Sequence, residues 1–358
     1  MVAKIVTVVG ARPQFVKSGI VAKAVAKHSH LKEILVHTGQ HFDANMSDVF
    51  FEQLGIPRPN HLLDIHGGSH GEMTGRMLVE IERILLAEKP DRVLVYGDTN
   101  STLAGALAAI KLHIPVAHVE AGLRSFNMEM PEEVNRILTD QVSDVLFCPT
   151  ETAVQNLEAE GFGRKAVSVI NAGDVMQDSA IAFASKAARP LGLQFEGGFI
   201  IATLHRAENT DSRDRLAAIV QALNEVQRRL GPVVLPLHPR TRKAIENHGL
   251  KLSVTVIDPV GYLEMLWLLS RCELVITDSG GVQKEAFFFG KFCVTMRDQT
   301  EWTELVKIDA NVLAGANEAA IVAASVSKFG TRVVDDASLY GGGHAAIRIA
   351  DELVARTV

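Results

Sequence analysis

The stretch RVLVYGDTNSTLAGALAAIKL, residues 92–112, decides the fold class of this chain. It opens with a short β-branched run, turns through glycine and aspartate, and continues as an alanine-rich stretch suited to a helix. A short apolar strand that leads directly into a helix is the repeating unit of a parallel α/β sheet. The stretch therefore predicts a βα unit with a polar loop at the carboxyl end of its strand.

The same alternation runs along the chain and begins anew near its middle. Strands are predicted at residues 4–9, 33–37, 92–96, 115–119, 144–147 and 167–170. A second series follows at residues 199–203, 233–236, 254–257, 274–277 and 293–296. A chain of 358 residues also suits two domains of roughly 150 to 180 residues each.

We therefore predict two Rossmann-like α/β domains, residues 1–170 and residues 171–340, that face a central cleft. A ligand is expected at the carboxyl ends of both sheets, because parallel strands present their loops there. Residues 341–358 are predicted to end in a helix that packs back across the hinge.

Composition and charge exclude several classes of protein. A net charge of −6 with a pI near 6.1 argues against nucleic-acid binding, which needs clustered lysine and arginine. The apolar run at residues 5–9 is too short for a membrane span or a signal sequence. Cys148, Cys272 and Cys293 lie in apolar surroundings, and we predict that they are buried free thiols. These features favour a cytoplasmic protein.

Neither predicted domain has the G-x-G-x-x-G motif of dinucleotide sites after its first strand, and the chain has no P-loop motif. Nicotinamide-dependent and P-loop chemistries are therefore disfavoured. The strand ends carry polar clusters instead. In the first cluster, Gly10 permits a tight turn, Arg12 can reach an anion and Lys17 lies on the next turn. A plain surface arginine is the alternative interpretation for Arg12.

Two further clusters place carboxylates at neighbouring strand ends. Asp98 follows the strand at residues 92–96 and is either a helix N-cap or a catalytic group. Glu120 lies in HVEAGLR, residues 118–124, and its structural alternative is a salt bridge to Arg124. Adjacent strands lie about 5 Å apart, so the two carboxylates converge if their strands are neighbours. Paired carboxylates separate each other's pKa values, which suits acid and base roles.

The next cluster, MPEEVNR at residues 130–136, is typical of a helix start. Glu132 and Arg136 are four residues apart and share one helix face. The structural alternative is a surface ion pair worth only about 0.3 to 0.5 kcal/mol.

The second predicted domain carries its own clusters. His205 and His238 both follow strands, and a histidine there can donate to a phosphate or transfer a proton. Ser279, Gly280 and Gly281 open a helix after the strand at residues 274–277 and offer unobstructed N–H groups to a pyrophosphate. In the same helix, Glu285 can accept hydrogen bonds from ribose hydroxyls. A structural glycine-rich turn is the alternative.

Together these segments resemble the non-hydrolysing UDP-N-acetylglucosamine 2-epimerase family, which has the glycosyltransferase-B-type fold. The resemblance rests on Gly97-Asp-Thr, His118-Val-Glu-Ala-Gly-Leu-Arg, Pro131-Glu-Glu, His205-Arg and Ser279-Gly-Gly in the family's order and spacing. It implies that Asp98, Glu120, Glu132 and His205 are catalytic. It also implies that the nucleotide site is lined by Arg12, Lys17, Arg136, His238, Ser279, Gly280, Gly281 and Glu285.

The chain departs from the family pattern in two places. Where many members have Thr-Glu-Arg-Pro-Glu, this chain has Thr300-Glu-Trp-Thr-Glu304 and so lacks one arginine. The loop Gly39-Gln-His-Phe-Asp-Ala-Asn-Met46 lacks the form found in members that are activated by their substrate, which argues against such activation. Residues 284–290 and 339–343 are more similar to the subgroup acting on UDP-2,3-diacetamido-2,3-dideoxyglucuronate.

The resemblance implies inversion at C2 of a UDP-N-acetylhexosamine, of the UDP-GlcNAc to UDP-ManNAc type, for bacterial surface polysaccharide synthesis. The diacetamidoglucuronate is the alternative substrate. A UDP-sugar glycosyltransferase, a hydrolysing epimerase and a non-catalytic UDP-sugar binding protein are the alternative functions. The resemblance further implies a homodimer, a UDP-sugar as the only partner, and no cofactor, metal, nucleic acid or membrane.

Overall fold

The computed structural model describes residues 2–40, 55, 57–193, 195, 198–335 and 338–357, without the side chain of Arg12. The chain divides into two compact units. The first comprises Met1–Ile181 and Ser338–Val358, and the second comprises Ala182–Ala337. The division after residue 181 lies eleven residues beyond the predicted end of the first domain at residue 170, because the first helix after the last strand stays with the first sheet.

The first unit contains a parallel sheet of seven strands. They are β1 (Ala3–Val9), β2 (Leu31–His37), β3 (His61–Leu62), β4 (Arg92–Tyr96), β5 (Val116–Val119), β6 (Val145–Cys148) and β7 (Ser168–Asn171). Their spatial order is β3-β2-β1-β4-β5-β6-β7. The described helices are α1 (Arg12–Val25), α2 (His70–Glu88), α3 (Asn100–Lys111), α4 (Pro131–Val142), α5 (Glu151–Ala159) and α6 (Val175–Phe183).

The second unit repeats this plan with six parallel strands. They are β8 (Ile200–Thr203), β9 (Val233–Pro236), β10 (Thr255–Ile257), β11 (Leu274–Thr277), β12 (Cys293–Thr295) and β13 (Asn311–Leu313), in the order β10-β9-β8-β11-β12-β13. Its helices are α7 (Ala207–Thr210), α8 (Arg213–Leu230), α9 (Pro239–Asn247), α10 (Tyr262–Arg271), α11 (Gly280–Phe288), α12 (Thr303–Lys307) and α13 (Glu318–Lys328).

Both sheets have the strand order of a Rossmann fold, in which the order reverses between the first and fourth strands. The predicted pair of Rossmann-like domains is therefore confirmed. The strands β3 and β13 were not predicted, because His61-Leu62 has no β-branched residue and Asn311-Val-Leu313 has only one. In each unit, the loops after the first and fourth strands lie side by side, and this reversal is where ligands bind in such sheets.

Apolar residues of the strands form the core of each unit. Val6, Val8, Val93 and Val95 are fully buried in the first sheet, as expected for parallel strands covered on both faces. Cys148, Cys272 and Cys293 are free and buried, which confirms their predicted state. Within the part of the chain that the structure describes, no helix combines the length and apolar character needed to cross a membrane.

The last helix, α14 (Ala345–Thr357), belongs to the first unit and packs against α1. Its start is fixed by Asp178 of α6, whose carboxylate accepts the backbone N–H groups of Ala345 and Ala346 at 3.2 and 2.7 Å. A carboxylate at a helix N-terminus satisfies donors that have no partner within the helix. The last helix is thereby attached to α6 and α1 of the first unit.

Candidate functional site

Gln14 joins the two loops at the reversal point of the first sheet. Its Oε1 accepts the N–H groups of Gly10 and Ala11 at 2.8 and 3.0 Å, after β1. Its Nε2 donates to the carbonyl of Tyr96 at 2.6 Å and to the hydroxyl of Thr102 at 2.9 Å, after β4. Because Gln14 is almost fully buried, these bonds fix the strand ends relative to each other.

The turn at Gly97 and Asp98 is held from below by His118. The ring Nε2 of His118 donates to the Gly97 carbonyl at 2.7 Å, and its Nδ1 faces Asp140 Oδ1 at 2.7 Å. Burial opposes ionisation of Asp140, but the hydrogen bonds and charges of His118 and Arg124 hold its pKa below the usual 3.8. The turn therefore lies on a buried ionic cluster.

Glu120 follows β5 and has a strained backbone, with φ at +73°. A residue with a side chain rarely adopts this conformation, and such strain is concentrated at functional sites. Its Oε2 forms an ion pair with Lys17 Nζ of α1. A Cβ added to Gly97 would lie 3.3 Å from the same oxygen, so the Glu120 carboxylate lies against the Asp98 turn. The predicted neighbours β4 and β5 do pair, with Tyr96 opposite Val119.

Arg124 does not form the alternative salt bridge considered for Glu120. Its guanidinium pairs with Asp140 at 2.8 Å and forms a bidentate pair with Glu160, at 2.6 and 2.8 Å. Asp140 and Glu160 are brought close to Arg124 by α4 and the end of α5, which lie far from it in sequence. The carboxylate of Glu120 thus pairs with Lys17 and not with Arg124.

Asp98 is not the N-cap of α3, because Thr99 takes that position and accepts the N–H of Thr102. The Asp98 carboxylate instead pairs with Arg136 Nη2. The other terminal nitrogen of Arg136 pairs with Glu133, one turn earlier in α4. The alternative interpretation, a surface ion pair between Glu132 and Arg136, is therefore wrong. Arg136 is buried, and its partner within the helix is Glu133.

Glu133 is a structural residue that the sequence analysis did not single out. It is buried, and its carboxylate accepts the N–H groups of Ser125 at 2.9 Å and Phe126 at 2.9 Å. Burial raises its pKa, but these donors and Arg136 outweigh burial and leave the pKa below the usual value. Glu132 has the opposite character, since it is exposed and has no hydrogen bond or ion pair among the described residues. The side chain of Arg12 lies outside the described residues.

In the second unit, His205 follows β8 and Asp278 follows the adjacent strand β11. His205 Nδ1 lies 3.0 Å from Asp278 Oδ1. The histidine side chain is 54% exposed, whereas the aspartate is fully buried. At the point where the strand order reverses, the imidazole of His205 is thus exposed to solvent while its ring contacts the buried carboxylate of Asp278.

Ser279 is the N-cap of α11, and its hydroxyl accepts the Val282 N–H at 3.4 Å. The next residue, Gly280, leaves room for the Glu301 carboxylate, because a Cβ there would lie 2.2 Å from Glu301 Oε1 and would displace it. Glu301 itself pairs with Arg297 at 2.9 Å. Gly281 and Glu285 belong to the first two turns of α11, and Glu285 is buried. The helix start therefore has the bare backbone that a diphosphate site needs.

His238 makes different contacts from those of His205. It is exposed and caps α9, where its Nδ1 accepts the Arg240 N–H at 3.3 Å. Its predicted ligand role thus remains a prediction, and its observed role is structural.

Sequence reasoning missed Gln14, His118, Asp140 and Asp278, although His118 lies inside the quoted HVEAGLR, Gln14 lies two residues after Arg12, and Asp278 directly precedes Ser279. Asp278 directly follows β11 and Gln14 lies in the first turn after β1, so the end of a strand could have pointed to these two, whereas His118 lies inside β5 and Asp140 inside α4. Nothing in the sequence tells which of these side chains points into the protein.

Comparison with known proteins identifies the family of this chain. A family model described as UDP-N-acetylglucosamine 2-epimerase matches residues 23–354. The chain belongs to the UDP-N-acetylglucosamine 2-epimerase family. One relative is the UDP-2,3-diacetamido-2,3-dideoxy-D-glucuronate 2-epimerase of Pseudomonas aeruginosa, 68% identical over 98% of this chain and 99% of that one.

A further relative and a solved structure from one archaeon are named for UDP-N-acetylglucosamine. The UDP-N-acetylglucosamine 2-epimerase of Methanocaldococcus jannaschii is 44% identical over 90% of this chain and 91% of that one. A crystal structure of M. jannaschii UDP-GlcNAc 2-epimerase in complex with UDP-GlcNAc and UDP matches with a TM-score of 0.88 at 40% identity, over 99% of this chain and 100% of that one. The predicted family and the glycosyltransferase-B-type fold class are confirmed.

Residue 302, where the sequence departs from the family pattern, is a tryptophan that contacts a lysine in this epimerase. Trp302 is buried, and the Lys284 ammonium lies 4.4 Å from the centre of its ring. This is a cation–π contact between α11 and the residue before α12. The position where many members have arginine is therefore occupied here by an aromatic partner for a lysine.

Proposed function

We propose that this epimerase inverts C2 of UDP-2,3-diacetamido-2,3-dideoxyglucuronate for bacterial surface polysaccharide synthesis. The observation that carries the proposal is the difference in identity between two relatives. Identity is 68% to the Pseudomonas enzyme named for that sugar and 44% to the Methanocaldococcus enzyme named for UDP-GlcNAc. UDP-GlcNAc is the second candidate substrate, favoured by the match to a structure that holds it.

The chemistry of the substrate requires that UDP leaves during the reaction. The C2 proton is not adjacent to a carbonyl, so its removal alone would give a poorly stabilised carbanion. In an anti elimination the C2 proton passes to a base on the enzyme, and the electrons of the C2–H bond form the C1=C2 double bond. The C1–O bond breaks at the same time, and its electrons leave with UDP as negative charge. Protonation of C2 from the other face and return of UDP to C1 then give the epimer. Every atom is conserved, and no net oxidation occurs.

Residues of the first unit are proposed to handle the C2 proton. Two groups must act on opposite faces of the sugar, and the candidates are Asp98, Glu120 and Glu132. Support comes from the charges around them: Arg136 pairs with Asp98, Lys17 pairs with Glu120, and Glu132 is exposed to solvent. Three carboxylates in different environments can divide the acid and base roles.

Residues of the second unit are proposed to bind and stabilise the departing diphosphate. The start of α11 at Ser279, Gly280 and Gly281 supplies backbone N–H groups, and His205 supplies an exposed imidazole. Electrostatic stabilisation of a leaving anion often contributes most to catalysis. We assign Arg12, Lys17, Arg136, His238 and Glu285 to substrate binding on the family resemblance.

Proton NMR in D2O tests the proposed function directly. The purified protein is incubated with UDP-GlcNAc and, separately, with UDP-2,3-diacetamidoglucuronate, without added cofactor. We expect the C2 signal to disappear as the manno epimer accumulates, faster for the diacetamidoglucuronate. Faster turnover of UDP-GlcNAc would reverse the choice of substrate.

Other outcomes would point to the alternative functions. Binding of both sugars without exchange or epimerisation would leave a glycosyltransferase or a binding protein as the better account. Release of free sugar would identify a hydrolysing epimerase. The homodimer and the cytoplasmic location stay predictions, and light scattering of the purified chain tests the first.

A further inference from the structure

The buried carboxylate of Asp278 has an unusual set of contacts. It accepts the backbone N–H of His205 at 3.0 Å and that of Arg206 at 3.0 Å. The amide of Asn209 also donates to it, at 3.3 Å. Together with the His205 ring at 3.0 Å, these donors surround both carboxylate oxygens. Four donors on a fully buried carboxylate form a rigid anionic support beneath one imidazole.

Charge balance distinguishes His205 from the other donors. Among the described residues, His205 is the only titratable group that forms an ion pair with Asp278. A buried carboxylate needs compensation, and here it is provided by backbone N–H groups and by one histidine. Burial opposes ionisation, but the hydrogen bonds and charge of His205 outweigh it and hold the pKa of Asp278 below the usual value. Asp278 therefore stays ionised beneath His205.

The support is itself held in place. Asn209, fully buried, donates a second bond to the carbonyl of Met296 at 3.0 Å. Its side-chain oxygen accepts from Arg215 Nε at 3.0 Å. Asn209, one of the donors to Asp278, is thus itself held by the residue after β12 and by α8. Such a supporting network keeps a catalytic group in one orientation.

We propose that Asp278 is a positioning residue for His205 and fixes where that histidine carries its exchangeable proton. This inference rests on the proposed function, in which His205 meets the departing diphosphate. An ionised carboxylate only accepts hydrogen bonds, so Nδ1 keeps its proton in both charge states of the ring. The proton given to or taken from the ligand then belongs to Nε2, which has no partner among the described residues.

Asp278→Asn tests this role, because it keeps the size of the side chain and one oxygen that can accept from the backbone N–H groups of His205 and Arg206, but changes the bond to the ring. An asparagine amide donates, so His205 Nδ1 must become an acceptor and Nε2 must carry the proton. In the neutral ring Nε2 then can no longer accept a proton. We expect kcat of the full-length enzyme to fall roughly 10²- to 10⁴-fold, with KM changed by less than about threefold.

A double-mutant comparison separates positioning from a purely structural role. In the His205→Gln background, adding Asp278→Asn should lower kcat by less than about twofold, since its effect passes through the ring. Asp309→Asn is the matched control, because Asp309 is a surface partner of Lys328 in the same unit. An equal loss in both backgrounds would overturn the proposal.

The imidazole tautomer gives a readout that does not depend on turnover. In protein labelled with ¹⁵N-histidine, the signals of His205 are assigned by their loss in His205→Gln. We expect an Nδ1–H tautomer in the wild type and an Nε2–H tautomer in Asp278→Asn, with unchanged circular dichroism. An Nδ1–H tautomer in both proteins would refute the role of Asp278. A wild type without epimerase activity but with the expected tautomer change would instead refute only the proposed function.

Discussion

Lys17 of α1 and Glu120 after β5 form an ion pair whose side chains are only 9% and 10% exposed. The two residues are 103 positions apart in the chain. The lysine neutralises a carboxylate that lies against the Asp98 turn and whose own backbone is strained. A proposed catalytic carboxylate is thus part of a buried pair that both stabilises the first unit and positions the group.

Lys17→Met should therefore affect stability and turnover together. Removing the cation of a buried pair costs about 3 to 5 kcal/mol, because the buried Glu120 carboxylate loses the attraction of the Lys17 ammonium. Urea unfolding should show this loss in the free energy of unfolding, and kcat should fall as well. Lys4→Met is the control, since Lys4 and Glu88 are 30% and 26% exposed and their pair is worth about 1 kcal/mol or less. Equal stability of both variants would contradict the assignment.

Asp98→Asn should separate catalysis from nucleotide binding. The amide keeps an oxygen that can accept from Arg136, so the turn remains folded, but the carboxylate is lost. We expect kcat to fall by roughly 10² or more, with the Kd for UDP measured by calorimetry unchanged within about threefold. Glu158→Gln, at an exposed position of the same unit, is the control. Near-normal turnover would remove Asp98 from the mechanism.

Glu33 of β2 makes the stability of this epimerase depend on pH. Burial raises the pKa of its carboxyl to about 7, although the Thr7 hydroxyl donates to it at 2.5 Å. It borders a cavity of about 250 Å³ between β2 and α1. Because the folded pKa lies above the usual 4.5, the folded state binds the proton more tightly than the unfolded state. The free energy of unfolding should thus decrease from pH 4.5 to about pH 7 and then level off.

Glu33→Gln should abolish this decrease, since glutamine is neutral at every pH and can still accept from Thr7. Above pH 8 the variant should be more stable than the wild type by up to about 3 kcal/mol. Urea unfolding between pH 5 and pH 8.5 measures both curves. A parallel pH dependence in the two proteins would show that Glu33 is ionised in the folded state.

The contact of Trp302 with Lys284 predicts that arginine at residue 302 is destabilising unless Lys284 is changed as well. Trp302→Arg would place a second cation near a lysine that is 2% exposed, so we expect a loss of about 2 kcal/mol or more. Adding Lys284→Glu converts the repulsion into an ion pair. Thermal unfolding should therefore show a lower Tm for the single variant and recovery in the double variant. A double variant less stable than Trp302→Arg would contradict the explanation.

Local patterns determined the elements of this protein and the positions of its polar clusters. The strand at residues 92–96 and the helix after it follow from β-branched and alanine-rich runs, and the structure has both, as β4 and α3. Polar residues after such strands lie at the carboxyl edge, so Asp98, Glu120, His205 and Ser279 could be named in advance. The strands β3 and β13 could not, because they contain too few β-branched residues to stand out from a loop.

Tertiary structure alone decided which of these side chains meet. Arg124 pairs with Asp140 and Glu160 and not with Glu120, and Arg136 turns inward to Asp98 and Glu133. Periodicity gives the face on which a residue lies, but partners depend on which strands and helices become neighbours. His205 and Asp278 meet across 73 residues because β8 and β11 are adjacent in the sheet. That adjacency results from the packing of the whole unit, which no local stretch of sequence contains.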